Sequence, residues 1–198
     1  TFYPKIDGIV TFLDNSIYFL SKRDHKVAVF CPRYGKHKEK YFGGNVKIFR
    51  LLSIPLHTYK EVKIAVARPK KIFRQLKEFN PDIIHIHAPG TIGLLGILAA
   101  RKLHVPLIGT YHTLVSEQVD YISLGNILGL NKLTGKIYRI FKKDKLRKKP
   151  KSDSRLKRLI WYISLKIYGK CDVIIAPSKS IADLLKVKLK RNIEYVCS

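Results

Sequence analysis

Residues 80–113 predict a strand, a helix and a second strand in direct succession. Pro81 ends the element before it, and residues 83–87 form a β-branched run that is typical of a strand buried on both faces. Residues 91–100 are small and apolar, long enough for a helix and too short to cross a bilayer. Residues 105–109 form a second apolar run. A unit of this kind, about thirty residues long, requires two parallel strands and a right-handed crossover.

Both predicted strands lead to a histidine, His87 in the first and His112 in the second. Ligands of open parallel sheets bind outside the carboxyl ends of the strands, so we expect residues 87–90 and 110–113 to share one rim of a cleft. His85 and His87 lie two residues apart and therefore on one face of their strand. Two histidines are too few to hold a metal ion, so we predict no metal site, with His85 in the core and His87 at the cleft.

The rest of the chain alternates predicted strands and helices, which indicates an α/β fold with a Rossmann-like parallel sheet flanked by helices. The other predicted strands are residues 26–31, 46–52, 61–66, 172–176 and 193–196. The other predicted helices are residues 9–22, 69–79, 156–168 and one capped by Ser178 or Ser180. A helix that begins at a glycine loop normally follows a strand, so we expect residues 1–198 to be a single domain that lacks its first strand and is truncated at both ends.

The charge of the chain is unusually positive, with 39 Lys and Arg against 14 Asp and Glu and a net charge of +25. Such a balance indicates an anionic partner, which could be nucleic acid, a phosphorylated ligand or an anionic membrane surface. The basic residues are concentrated between residues 132 and 158, inside a predicted helical and loop segment at 123–158. The sequence shows no signal peptide or transmembrane run, so we expect any membrane contact to be peripheral.

The three cysteines, Cys31, Cys171 and Cys197, are odd in number and lie in no metal-ligand spacing. We therefore expect reduced thiols in the core or at sheet edges of a cytoplasmic protein.

Five motifs in order resemble the amino-terminal domain of GT4-type retaining glycosyltransferases, the GT-B group that includes glycolipid glucosyl- and mannosyltransferases. They are Tyr3-Pro4-x-x-Asp7-Gly8-Ile9-Val10-Thr11, His25-Lys26-Val27-x-Val29, Pro81-Asp82-Ile83-Ile84-His85-x-His87, Pro106-x-x-x-Thr110-Tyr111-His112-Thr113 and Cys171-Asp172-x-Ile174-Ile175-x-Pro177-Ser178. The resemblance extends over nearly the whole chain. It implies the acceptor-binding half of a two-domain transferase whose second Rossmann-like half binds most of the nucleotide sugar.

The resemblance implies a UDP- or GDP-sugar as co-substrate, no tightly bound cofactor and metal-independent transfer, in agreement with the absence of an Asp-x-Asp pair. A chain without its partner domain is then expected to be inactive. The acceptor is expected to be a membrane lipid. The resemblance also implies an acceptor cleft lined by Tyr3, His87, Pro89, Gly90, Thr110, Tyr111, Thr113 and Tyr121.

Gly8 precedes the first predicted helix, where free N–H groups and the helix dipole favour an anion and the absent side chain permits close approach. The resemblance makes Asp7 and Gly8 the residues near the donor diphosphate, although an ordinary turn glycine would show the same pattern. It makes His112 the histidine that faces the transferred sugar and stabilises the departing diphosphate. A hydrogen-bonded residue of the rim is the alternative for His112.

Two other classes of function remain open from the sequence. A nucleic-acid-binding protein would account for the positive charge, although no motif of a known binding module is present. A nucleotide-binding Rossmann module without transferase activity would account for the sheet, although the Gly-x-Gly-x-x-Gly fingerprint is missing. We expect the basic segment to dock on an anionic membrane rather than on nucleic acid, through Lys142, Lys143, Arg147, Lys148 and Lys149. A solvated lysine-rich loop is the alternative for this segment.

Overall fold

A computed structural model describes residues 2–4, 7–35, 43–55, 63–66, 68–112 and 155–195. The helices in this part of the chain are α1 (Gly8–Lys22), α2 (Pro69–Phe79), α3 (Thr91–Leu103), α4 (Arg155–Tyr168) and α5 (Lys179–Leu189). The strands are β1 (Val27–Pro32), β2 (Val46–Leu51), β3 (Ser53–Pro55), β4 (Lys63–Ala65), β5 (Ile84–Ile86), β6 (Leu107–Thr110), β7 (Val173–Ala176) and β8 (Glu194–Tyr195).

Parallel pairing dominates the sheets, as the strand–helix–strand pattern predicts. Strands β5, β6, β7 and β8 form one parallel sheet in sequence order, with Ile86 opposite Gly109 and Gly109 opposite Ile174. Strands β1 and β2 pair in parallel in a second sheet. Because β5, α3 and β6 follow one another and the two strands are parallel, the predicted crossover unit is confirmed.

A short antiparallel pair is the main feature that the pattern did not predict. Strand β2 ends at Leu51, and the chain pairs again at Ser53–Pro55 with Lys63–Ala65. The predicted strand at residues 46–52 is therefore followed by a second, separate strand. Residues 61 and 62 of the predicted strand at 61–66 lie outside the described part of the chain.

Strand β5 is buried on one face rather than on both. Ile84 and Ile86 are buried and His85 between them is exposed. The buried face packs against α3 at Gly96, where an added Cβ would lie 2.8 Å from Ile86 Cγ2. The prediction of a strand buried on both faces is therefore wrong for β5, and so is the prediction of His85 as a core residue. Alternation along the strand turns His85 away from the isoleucines.

The ends of the helices follow the capping residues in the sequence. The Ser178 hydroxyl accepts a hydrogen bond from Ile181 N–H, so Ser178 and not Ser180 is the N-cap of α5. Pro69 occupies the first turn of α2, and Gly169 follows the last residue of α4. Cys31 and Cys171 are buried and form no disulfide, as predicted, whereas Cys197 lies outside the described residues. None of the described helices is long and apolar enough to cross a membrane.

Candidate active site

Helix α1 begins with an open, uncrowded turn. The Asp7 carboxylate caps this turn by accepting a hydrogen bond of 2.9 Å from Val10 N–H. Gly8 is exposed, and a Cβ added to it would meet no atom within 4 Å. The first N–H groups of a helix lack partners within the helix and carry the positive end of its dipole. This end of α1 can therefore accept an anionic group close to the backbone at Gly8.

Three histidines from β5 and the end of β6 form a contiguous group. His87 Nδ1 lies 3.0 Å from His112 Nε2, within hydrogen-bond distance. The rings of His85 and His87 have centroids 4.0 Å apart. His85 Nε2 in turn lies 2.7 Å from the hydroxyl of Thr110, a residue that is 2 % exposed. The predicted meeting of the two strand ends at one rim is thus present in the structure for His87, Thr110 and His112.

Phe12 joins α1 to the histidines. Its ring packs edge-on against His112 with centroids 5.0 Å apart and lies 6.0 Å from His87. Because Phe12 follows Gly8 by one helical turn, the open end of α1 and the end of β6 face the same space. The negative charge of Asp7 also acts on His112, where it favours the protonated imidazole. Gly8 therefore lies on the face of α1 that carries Phe12, the residue in contact with His112.

The pKa values of all three histidines are lowered, mainly by burial. His85 retains exposed surface, yet burial by the surrounding protein lowers its pKa to about 4, and the positive charge of His112 adds to this. Burial, followed by the charges of His85 and His112, lowers the pKa of His87 well below 6.5. Burial lowers the pKa of His112 to about 4 although Asp7 opposes the shift. The imidazoles are consequently neutral at pH 7 and each carries one N–H.

Tyr111 lies away from the cleft, in contrast to the prediction. Its side chain is 0 % exposed and packs edge-on against Tyr168 of α4 at 5.0 Å and Trp161 at 6.2 Å. Tyr111 and His112 are consecutive residues at the end of an extended strand, so their side chains point to opposite faces. Since His112 faces Phe12 of α1, Tyr111 faces α4 and belongs to the core.

The structure describes only some of the remaining residues that were predicted to line the cleft. Tyr3 and Pro89 are half-buried, and Gly90 is the exposed N-cap of α3. Thr113 and Tyr121 lie outside the described residues, as do the basic residues Lys142, Lys143, Arg147, Lys148 and Lys149. Within the described ranges, no group of three or more His, Cys, Asp or Glu side chains is arranged to hold a metal ion.

Two further residues belong to this site by contact and were not predicted from the sequence. Phe12 touches two of the histidines, and His85 bonds to Thr110 beside them. The sequence does show that Gly8 and Phe12 lie one helical turn apart and that His85 and His87 lie two residues apart, so each pair shares one face of its element. The contact between α1 and β6 is tertiary, so no local pattern identifies it.

The fold and the site together define a class. A parallel α/β sheet flanked by helices, with histidines at the ends of two neighbouring strands, is a Rossmann-like domain.

Comparison with known proteins is more specific. The chain belongs to Glycosyltransferase Family 4, whose model matches residues 6–196, and it has the fold of the amino-terminal half of a GT-B protein.

Several curated relatives are similar to the chain. It is 32 % identical over 128 residues to the alpha-monoglucosyldiacylglycerol synthase of Streptococcus pneumoniae, which covers 65 % of this chain and 28 % of that protein. It is 26 % identical over 196 residues to the protein of the same name from Acholeplasma laidlawii, an alignment that covers 98 % of this chain and 42 % of that protein. It is 27 % identical over 127 residues to a GDP-mannose-dependent alpha-mannosyltransferase of Mycolicibacterium smegmatis, an alignment that covers 63 % of this chain and 34 % of that protein. The chain thus spans less than half the length of these relatives.

Proposed function

We propose that the chain is the acceptor-binding half of a retaining glycosyltransferase. In this proposal a sugar passes from a nucleotide-diphosphate sugar to a membrane lipid, at the cytoplasmic face of the membrane. The observation that carries the proposal is the contact of Phe12, one helical turn after the open Gly8, with His112 at the end of β6. Family membership supports the reaction class, and the relatives named for diacylglycerol and GDP-mannose support a lipid acceptor and a nucleotide-sugar donor.

Gly8 and His112 have complementary tasks in this reaction. The N–H groups at the start of α1 are positioned to bind a diphosphate oxygen, and the missing side chain of Gly8 leaves room for it. A neutral His112 can donate its one N–H to the leaving group as negative charge develops there. Asp7 disfavours an anion by its own charge, and the same charge favours the protonated form of the His112 ring, in which both nitrogens carry hydrogen.

The experiment uses the full-length protein that contains this chain, with several UDP- and GDP-sugars and a lipid extract. Mass spectrometry of the products should show a glycosylated lipid. Gly8→Val should abolish transfer by filling the phosphate position, and His112→Ala should lower turnover roughly a hundredfold or more, the size of losing one such donor. Gly44→Val is the matched control, because a Cβ at Gly44 also meets no atom within 4 Å and Gly44 lies in the connection between β1 and β2. Near-normal rates in folded Gly8→Val and His112→Ala would refute the proposed site.

We also expect the isolated chain to have no catalytic activity. Transfer by a GT-B protein needs the donor-binding domain on the other side of the cleft, so residues 1–198 alone should bind acceptor weakly and turn over no nucleotide sugar. Turnover by the purified chain would contradict the two-domain reaction.

A further inference from the structure

We propose that His87 is a positioning residue for His112: its Nδ1–H donates to His112 Nε2, so that His112 carries its own proton on Nδ1 and presents that N–H to the ligand. This inference rests on the proposed function of the site, and it assigns His87 a task other than lining the acceptor cleft. The supporting geometry is the 3.0 Å separation of the two nitrogens.

A contact of this length between two neutral imidazoles contains one proton. If both nitrogens carried hydrogen they would repel, and if neither did, two lone pairs would face each other. The tautomers of His87 and His112 are therefore coupled: when His87 has its proton on Nδ1, His112 has its proton on Nδ1 as well, and the reverse arrangement leaves His112 with an acceptor at Nδ1. Only the first arrangement gives His112 a donor for a leaving diphosphate.

The charges around the pair are compatible with the first arrangement. Asp7, the N-cap of α1, acts on His112 as a negative charge and so favours hydrogen on the ring. His85 on β5 lies beside His87, and its low pKa of about 4 keeps it neutral near pH 7. His85 Nε2 is bonded to Thr110 and so does not compete for His112.

The orientation of the His112 ring is fixed by the same contacts. Phe12 packs edge-on against one side with an interplanar angle of 73°, and His87 lies on another side at 30°. An imidazole held between an aromatic edge and a hydrogen bond has little freedom to rotate. Removing His87 would release both the ring angle and the choice of tautomer, while leaving His112 itself in place.

The first readout is the tautomer itself, measured in the full-length protein with ¹⁵N-labelled histidine. The ring nitrogen shifts near neutral pH should show His112 with its proton on Nδ1. In His87→Ala the proton should move to Nε2, the nitrogen that free imidazole side chains prefer. In His87→Asn the side-chain amide can donate from nearly the same position as Nδ1–H, so the Nδ1–H form of His112 should return. A proton on Nε2 in the wild type, or a tautomer indifferent to His87→Ala, would overturn the inference.

The second readout is kinetic and uses the nucleotide sugars of the proposed reaction. His87→Ala should lower kcat at least about tenfold with KM for the nucleotide sugar nearly unchanged, and His87→Asn should recover most of this loss. The matched control is His104→Asn, because His104 is exposed at the end of α3 in a left-handed conformation that asparagine adopts readily. An unchanged kcat in His87→Ala would overturn the inference. If the wild type transfers no sugar, the proposed function fails, and the tautomer measurement alone decides the role of His87.

Discussion

Asp172 and Leu107 are 65 residues apart in the sequence and are joined by two hydrogen bonds at the start of their strands. Leu107 N–H donates to Asp172 Oδ2 over 2.7 Å, and Asp172 N–H donates to the Leu107 carbonyl over 2.8 Å. These bonds set the register in which Ile108 lies opposite Val173. A slip by one residue would exchange the two faces of β6, so the position of His112 depends on this pair.

We expect Asp172→Ala to lower the free energy of unfolding by about 1–3 kcal/mol, because Leu107 N–H would lose its acceptor in a partly buried position. Asp172→Asn should lose less, since its amide oxygen can still accept. Urea denaturation of the full-length protein measures both, with Asp183→Ala on the exposed side of α5 as the control. Equal losses in Asp172→Ala and Asp183→Ala would contradict the role of the pair.

Gly93→Ala should distort the connection between β5 and α3 although it adds only one methyl group. A Cβ at Gly93 would clash with the carbonyl oxygen of Ala88, the residue directly after His87. A backbone atom cannot move aside as a flexible side chain can, so we expect a net loss of stability of about 1–3 kcal/mol despite the better helix propensity of alanine. We also expect a lower rate of sugar transfer. Thermal unfolding and the transfer assay measure the two effects, and Gly44→Ala, which meets no atom within 4 Å, should change neither.

Stability should fall as the pH falls from about 6.5 toward about 4. Folding lowers the pKa of His85 and His112 from 6.5 to about 4 and lowers that of His87 in the same direction. In this pH range the unfolded chain binds protons that the folded chain does not, so acid favours unfolding. The urea midpoint should therefore be lower at about pH 5 than at about pH 7.5, and His112→Asn should reduce the difference by removing one such group. An equally steep dependence in His112→Asn would argue against burial of a neutral imidazole there.

The Cys171 thiol should react slowly with disulfide reagents in the folded protein. It is 1 % exposed, and burial raises its pKa to about 12, against a smaller opposing effect of Arg191. Thiolate is the reactive form, so little is present at neutral pH. The rate of labelling in native buffer should be orders of magnitude lower than the rate in urea, as measured by mass spectrometry of the peptide that contains Cys171. Rapid native labelling would indicate frequent opening of the α4–β7 region.

The sequence predicted most of the helices and strands and the meeting of two strand ends at His87 and His112, because apolar periodicity and the polarity of parallel strands are local signals. It misplaced His85 and Tyr111 for two related reasons. An apolar run such as that around Ile84 and Ile86 does not say whether one or both faces are covered, and adjacent positions at a strand end cannot both face a cleft. The contact of Phe12 with His112 and the bond between Asp172 and Leu107 depend on long-range packing, which no window of sequence contains.

The basic segment lies outside the described part of the chain and contains Lys142, Lys143, Arg147, Lys148 and Lys149. We expect this segment to hold the protein on an anionic membrane. Each basic residue near such a surface contributes about 1 kcal/mol, so five together are enough for reversible binding. Ile137, Tyr138, Ile140 and Phe141 can enter the head-group region. Trp161, which we also expected there, is instead buried in the core against Tyr111. An enzyme whose acceptor is a membrane lipid requires such contact on its acceptor-binding half.

Sedimentation of the full-length protein with liposomes tests this expectation. Binding should require anionic lipid, weaken as salt is raised, and fall when the five basic residues become Gln. The matched control replaces five exposed lysines elsewhere with Gln and so removes the same charge: Lys26, Lys47, Lys170, Lys179 and Lys186. If the charge of the whole protein were responsible, both sets would weaken binding equally; if the segment is responsible, the control should bind nearly as the wild type does. Equal binding to neutral vesicles, or none to anionic ones, would leave the segment a solvated loop.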